Sequence, residues 1–365
     1  MRRWTVVCAG LVAGLLGACS GPGSKGPDLS VILADAPAPN LSDYGFDLDH
    51  PGEGDQARLV RYDLVNPLFS DHADKHRYVF VPEGETAVYK ADGAFDFPVG
   101  SVLIKTFGFA PDMRTPAEGG YKVETRLLIR KETGWIAYPY IWNEDQSEAT
   151  YAPVGGARTI DTITEDGEPI SIAYEIPNKN QCKTCHQSNK VMTPIGPTAH
   201  SLNHVGPNAA EQAGVSQIAD WTARGLLTGA PADPADIPSV PDYLDASAPL
   251  EPRARAWLDI NCAHCHSSGG GASNSGLFLR YTETNPTGWG VRKRPVAAGR
   301  GAGDNSFVIE PGHPEQSILV YRLESTEPGV VMPELGRTTV QPESLDLIRR
   351  WIASMPADHG GASGK

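Results

Sequence analysis

Two stretches of the chain pair cysteine with histidine at the same interval: Cys182-Lys183-Thr184-Cys185-His186 and Cys262-Ala263-His264-Cys265-His266. Both read Cys-x-x-Cys-His. Two thiols separated by two residues lie on one side of a tight turn, where each can form a thioether with one vinyl of a porphyrin. The imidazole of the next residue then sits beneath the iron. The pattern points to two covalently bound haem c groups, with His186 and His266 as proximal ligands. The same four cysteines could close a structural zinc site from two Cys-x-x-Cys pairs. A histidine directly after each second cysteine, together with the export signal described below, favours haem over zinc and over disulfides.

Haem iron in an electron carrier takes a second axial ligand, and methionine there raises the potential relative to a second histidine. Beyond His266 the chain holds two methionines, Met332 and Met355. Met332, in Val331-Met332-Pro333-Glu334, stands just before the last helical stretch and is the expected ligand. Met355 falls on the apolar face of that helix and reads as core. For the first iron the nearby candidates are Met192, His200 and His204. The N-terminal half offers His50, His72, His76 and Met113, and an open iron is the other possibility. Met192 follows His186 by six residues, a reach of about 20 Å at full extension, which is cramped for rounding a haem edge. His204 has no such limit. His264, between two cysteines, reads as exposed.

Positioning these residues takes a chain of 365 residues, long enough for two or three domains. Apolar residues make up 40% and charged residues 21%, as in a soluble globular protein, while 39 Gly and 31 Pro imply many turns. Residues 1–19 read as a lipoprotein signal peptide: Arg2 and Arg3, an uncharged run, then Leu16-Gly17-Ala18-Cys19, which resembles a lipobox. In that reading Cys19 carries the lipid and anchors the exported chain; an ordinary signal peptide cleaved nearby is the alternative. Ser20 after the cysteine resembles lipoproteins sent to the outer membrane of a two-membrane bacterium, with the protein facing the periplasm. The net charge of −13 makes nucleic acid an improbable partner and suits a redox partner with a basic patch.

Residues 20–40, rich in Gly, Pro and Ser, read as a flexible tether. Residues 41–176 read as a β-rich, sandwich-like domain. Its clearest strand is Lys122 to Arg130, where Val123, Thr125, Leu127 and Ile129 alternate with polar residues and only Leu128 breaks the pattern. Glu132-Thr133-Gly134 turns into a hairpin partner at Trp135 to Tyr138, and Arg77 to Pro82 and Ser101 to Phe107 are further strands. Trp135, Tyr138, Tyr140 and Trp142 read as core and sheet face. Asp71-His72-Ala73-Asp74-Lys75-His76 reads as a solvated loop rather than a metal site.

Residues 177–248 hold the first haem-binding region and a Pro- and Asp-rich linker, with a helix expected from Asn208 to Leu227 and Asn208 paired with Glu211 as its cap. Residues 249–365 read as a cytochrome c-like domain with the second haem. One helix, with Ala254, Trp257 and Leu258 on one face, runs into Cys262. Another opens at Pro342 and carries Leu345, Ile348 and Ile352. Gly269 to Gly271 reads as a loop closing over a haem edge. The expected fold class is therefore multidomain β plus α, a β-sandwich-like domain followed by mainly α haem-binding regions.

With these residues in place, the segments NPLFSDHADKHR, FDFPVGSVLIKTF, NKNQCKTCH, RARAWLDINCAHCH and PGHPEQSILVYRLESTEPGVVMPELGR resemble a family of exported bacterial di-haem c-type cytochromes. The resemblance implies electron transfer in the cell envelope and supports Met332 as a ligand. Gly196-Pro197 also resembles the segment of class I cytochromes c whose proline carbonyl takes the proximal histidine's Nδ1 proton, which would give Pro197 that role for His186. Two other functions remain open: a peroxidase-like or substrate-oxidising enzyme with an open first haem, and an electron-accepting subunit that docks a periplasmic dehydrogenase through its β-domain.

Overall fold

In the computed structural model, which describes residues 26–208 and 214–357, the alternating segment around Val123 to Ile129 is the longest strand of an antiparallel sheet. The strands in chain order are β1 (Leu59–Tyr62), β2 (Asp74–Phe80), β3 (Ala87–Val88), β4 (Val102–Phe109), β5 (Tyr121–Lys131), β6 (Gly134–Trp142) and β7 (Ala149–Tyr151). They are followed by β8 (Gly156–Ile163), β9 (Pro169–Ile176), β10 (Gln187–Ser188), β11 (Val191–Met192) and β12 (Leu227–Thr228). Six of them form a meander in the order β1-β2-β4-β5-β6-β7. The expected hairpin is present, with Lys131 opposite Gly134 and Arg130 opposite Trp135.

Both faces of this sheet are buried, which explains why Leu128 breaks the alternation. Leu127 and Ile129 join Leu59, Phe80, Ile104, Tyr138 and Tyr140 in one core. Leu128 points the opposite way and joins Val60, Val79, Leu103 and Ala137 in another. The first face is covered by the residues that precede the sheet. Helix α1 (Leu29–Ile32) buries Ile32, and Ala38, Leu41 and Tyr44 follow it into the same core. The Tyr44 and Tyr140 hydroxyls meet at 2.9 Å, and Tyr140 donates to the Ala38 carbonyl at 2.8 Å. The stretch expected as a tether is thus packed from Asp28 onward, because the sheet has an apolar face that needs a cover. Cys19, where lipidation is expected, and the rest of residues 1–25 lie outside the described residues.

The second face is covered by the chain after β9, through α2 (Cys182–His186), α3 (Ala199–Leu202) and α4 (Gln217–Ala223). Trp221 of α4 is fully buried and stands edge-on to Tyr62 and Phe95, at ring-centroid distances of 5.5 Å and 6.3 Å. The pair β8–β9 forms a separate hairpin, whose Ile160, Ile172 and Tyr174 pack with Phe107, Phe109 and Val123 at the sheet's end. The N-terminal region is therefore one six-stranded sheet with non-sheet covers and a hairpin, instead of two stacked sheets.

The expectation of mainly α haem-binding regions, ending in a cytochrome c-like domain, is overturned. Sheet dominates the regular structure, and after residue 249 the described α-helices are α5 (Leu250–Leu258), α6 (Ile318–Glu324) and α7 (Pro342–Ser354), the longest of 13 residues. The intervening chain turns at Gly276, Gly290, Gly303, Gly312 and Gly329, each at positive φ, so no long helix can form there. The expected helix from Asn208 to Leu227 is also shorter. Ser216 caps α4, with its Oγ accepting from the Ala219 N–H at 3.4 Å, while the Asn208 amide donates to the Arg61 carbonyl at 2.9 Å instead. Its expected partner Glu211 lies outside the described residues. The 229–247 linker is anchored too: Ile237 and Tyr243 are buried, and Asn66 accepts the Tyr243 N–H at 2.9 Å.

Helices α5 and α7 pack together through Trp257, Leu258, Leu347, Ile348 and Trp351, with Met355 at the edge of that core. Among the described residues no helix is long and apolar enough to cross a membrane. Trp221 bonds the first-motif region to the sheet by packing alone, its indole N–H having no partner. Trp221→Ala should cost about 4 kcal/mol, read as a fall in the chemical-denaturation midpoint, and Trp221→Phe distinctly less; equal losses in the two would show that the ring contacts carry no weight.

Candidate functional site

The first motif starts where β9 ends. Asn178 accepts the backbone N–H groups of Asn180 and Gln181 at 2.9 Å each, and the Gln181 side chain accepts the Asn178 N–H at 2.8 Å. This reciprocal turn launches α2 directly at Cys182, so no entry helix is needed. Cys182 is buried in the sheet-face core. After His186 the hairpin β10–β11 turns through Asn189 and Lys190, both at positive φ (51° and 66°), and brings Thr193 back beneath the imidazole. There His186 Nδ1 lies 3.1 Å from the Thr193 carbonyl. A carbonyl only accepts, so the proton is on Nδ1 and Nε2 keeps its lone pair free.

The second motif is fed by α5 through a single π turn, Asp259–Ala263. Asn261 steadies that turn: its Oδ1 accepts the Phe69 N–H at 2.8 Å and its Nδ2 donates to the Trp257 carbonyl at 3.0 Å. His266 Nδ1 lies 3.3 Å from Ser275 Oγ, whose own hydrogen is given to the Ala272 carbonyl at 2.6 Å. The serine therefore accepts from Nδ1, and Nε2 of His266 is free in the same way. Burial lowers the pKa of both His186 and His266 to about 4, which keeps each ring neutral, the form that binds metal.

The fold brings the two motifs into contact. Cys265 Sγ lies 3.6 Å from the Thr184 carbonyl, and the Asn189 N–H donates to the Gly269 carbonyl at 2.8 Å. Ligand atoms of Cys185, His264 and Cys265 lie within 4.8 Å of one another, and the four motif thiols are unbridged. Gly269 makes this approach possible, and Gly270 lets the second motif's own turn close. A Cβ on Gly269 would fall 2.7 Å from Ser188 Oγ, and one on Gly270 only 2.2 Å from the Cys265 carbonyl oxygen. His264, expected to be exposed, instead lines a cleft of about 110 Å³ with Cys185, His186, His200 and Asp259, and its buried Nδ1 has no partner. Nothing in the local sequence marks His264, since its role comes from the motif 80 residues earlier.

The other predicted residues separate into those near the motifs and those drawn elsewhere. Met192 lies opposite Gln187 in the β10–β11 hairpin and packs against the sheet-face core. His204 has both ring nitrogens engaged, Nε2 with Gln217 at 3.0 Å and Nδ1 with the Val205 carbonyl at 3.0 Å. His200 lines the cleft, and its Nε2 meets Asp259 at 3.0 Å. His50 and His76 pair with Asp47 and Asp74, His72 stands edge-on to Phe69, and Met113 packs with the β8–β9 core. The role expected of Pro197 belongs to Thr193, because the Pro197 carbonyl accepts the Phe95 N–H at 3.2 Å.

Met332 is held close to the second motif. Its carbonyl accepts from Arg337 Nε at 2.9 Å and its N–H donates to the Arg322 carbonyl at 3.2 Å, while Pro333 and Arg337 line a small cavity together with Trp257 and Asn261. The neighbouring Thr338 and Thr339 donate both their N–H groups to the buried Asp71 carboxylate, at 2.7 Å and 2.8 Å, and both hydroxyls as well. The β1–β2 loop thus ties the sheet to the segment that carries Met332.

Comparison with protein-family models, curated proteins and solved structures found no match. The functional reading rests on the residues themselves.

Three substitutions test this packing. Gly270→Ala should destabilise the protein by about 1–3 kcal/mol through overpacking, whereas at Gly271 a Cβ would meet the Thr184 carbonyl at an ordinary 3.7 Å and Gly271→Ala should leave the denaturation midpoint nearly unchanged. Removing Asp71 by Asp71→Ala strands four donors and should cost about 2–4 kcal/mol, measured in the same way.

Proposed function

We propose that the chain is a di-haem c-type cytochrome that carries electrons in the cell envelope, anchored to the membrane through Cys19 and serving a redox partner protein. One observation carries the reading: both Cys-x-x-Cys-His turns pair unbridged thiols with an imidazole whose Nδ1–H is given to a fixed acceptor and whose Nε2 is bare. Haem supplies one-electron redox chemistry when bound. These residues fit it, with Cys182, Cys185 and His186 holding one group and Cys262, Cys265 and His266 the other.

The remaining side chains set orientation and charge. Thr193 and Ser275 fix the tautomers, a function that usually conditions ligand basicity as well. Burial keeps both imidazoles neutral. Met332, in a segment pinned by Arg337 and Asp71, would be the second ligand at the second site. At the first site no second ligand is assigned: both ring nitrogens of His204 are engaged, and Met192 packs against the sheet-face core. An enzymatic role, if the protein has one, therefore belongs to the first site.

A second reading has a specific observation in its favour. Cys185, Cys265 and His264 converge, and the buried Nδ1 of His264 lacks a partner, so a zinc-type ion could sit between the motifs. It would use one cysteine of each pair and neither His186 nor His266, which leaves their shared tautomer arrangement without a purpose.

The two readings separate cleanly. Protein matured in cells that attach haem should gain the mass of two haem groups, fall to one in Cys182→Ala/Cys185→Ala, and contain no stoichiometric zinc. One bound zinc and no visible absorption would reverse the conclusion. Met332→Ala should abolish the methionine-sulfur charge-transfer band in the red; a persistent band would remove Met332 from the second site.

A further inference from the structure

The sheet face beneath the first motif carries a row of charge that the attachment chemistry leaves unused. Arg77 on β2, Lys105 on β4 and Arg126 on β5 are direct cross-strand neighbours, on the same face as Val79, Leu103 and Leu128. Lys75, two residues before Arg77, extends the row on that face. Like charges placed directly opposite each other destabilise a ladder, and here three stand in line. A single buried carboxylate answers them. Glu124, wholly inaccessible, accepts from Arg126 at 2.8 Å and 2.5 Å and from the Tyr174 hydroxyl at 2.6 Å.

The other three cations are left without a partner of that kind. Arg77 is 5% exposed, its Nη2 has no hydrogen-bond partner, and Asp63 comes no closer than 3.9 Å. Among the described residues nothing pairs with the Lys75 ammonium, and the Lys105 ammonium has only the face of Phe107, at 4.6 Å. Burial, with the neighbouring Arg77 charge, brings Lys75 down to about 7 and holds Lys105 well below its ordinary value. Burying cations in this way is costly unless an anion joins them.

The row also lies beside the first motif. Cys182 packs in the same core as Val79, Leu103 and Leu128, the charge of Arg126 reaches Cys182, and that of Lys105 reaches His186. We propose that Arg77, Lys105 and Lys75 receive the two carboxylate arms of the porphyrin attached at Cys182 and Cys185, an assignment that rests on the haem reading above. It gives the sheet a direct part in the first haem site, as the source of its counter-charge.

The test uses the full-length, haem-loaded protein and the midpoint potentials of its two haems, the second assigned from Cys182→Ala/Cys185→Ala. Removing a cation favours the ferric state, so Lys105→Met and Arg77→Gln should each lower the first potential and leave the second unmoved, with Lys105→Arg restoring the wild-type value. Lys75→Gln, at a half-buried position, supplies the same reading should a more buried variant fail to fold. Unmoved potentials with both haems attached overturn this assignment and spare the haem reading, whereas a wild type without visible absorption removes both. A shift that persists in Lys105→Arg would mark a structural effect and also overturn the assignment. So would stabilisation of the loaded wild type by added succinate that is lost in Lys105→Met, since the row would then be open to a free dicarboxylate.

Discussion

A sheet with two apolar faces has to be covered twice, and most of this structure follows from that requirement. Leu127, Leu128 and Ile129 are consecutive and all buried, so β5 sends apolar side chains in both directions. The chain before the sheet supplies one cover and the chain after it supplies the other. The second cover contains Cys182, which places the first Cys-x-x-Cys-His turn on the sheet itself and removes any need for a helix leading into it.

The second motif reaches the same place by a different route. Its own core, built on α5 and α7, would leave it free to stand apart, but polar contacts draw it in. Asn66 holds the linker at Tyr243, the Phe69 backbone holds Asn261, and Asp71 holds Thr338 and Thr339. All three lie in the loop between β1 and β2. That loop acts as a clamp between the sheet and the C-terminal half, and Gly269 in the second motif's loop lets the two turns close to contact distance. Burying Asp71 without a positive partner is tolerable because four donors converge on it.

The chemistry-bearing residues and the local strands were readable from the sequence, whereas the covering of the sheet was not. The alternation in β5 and the turn after it point to a hairpin with its partner at Trp135 to Tyr138, since both signals depend on neighbouring residues; its register, with Lys131 opposite Gly134, is set by the fold. Leu128 was the one sign of a second buried face, and a single apolar residue among charges is a weak sign. Glu124 and Arg126 looked solvent-facing because charge usually is; their burial depends on Tyr174 and on the whole cover above them. The mainly α expectation for the C-terminal half came from two amphipathic helices that do exist, α5 and α7, extended over a glycine-rich stretch that cannot be helical. Pro197 is suggested as the acceptor for His186 by resemblance alone, and Thr193 carries no local signal for that role, because the choice is made by a two-residue hairpin that turns at Asn189 and Lys190. His264 was invisible for a related reason, as its surroundings come from a distant part of the chain.

The clamp formed by Asp71 also has a bearing on how the protein is made. Asp71 and Thr338 are 267 residues apart, so one half of this contact is synthesised well before the other. The strands of the main sheet are complete by Tyr151, before either motif has emerged, and domains tend to fold in that order. A chain built this way presents a finished platform first, then its thiols in two instalments, and only then the segment that locks the arrangement. Until that locking segment emerges the thiols stay reachable, and any group that must be joined to them has its best opportunity then.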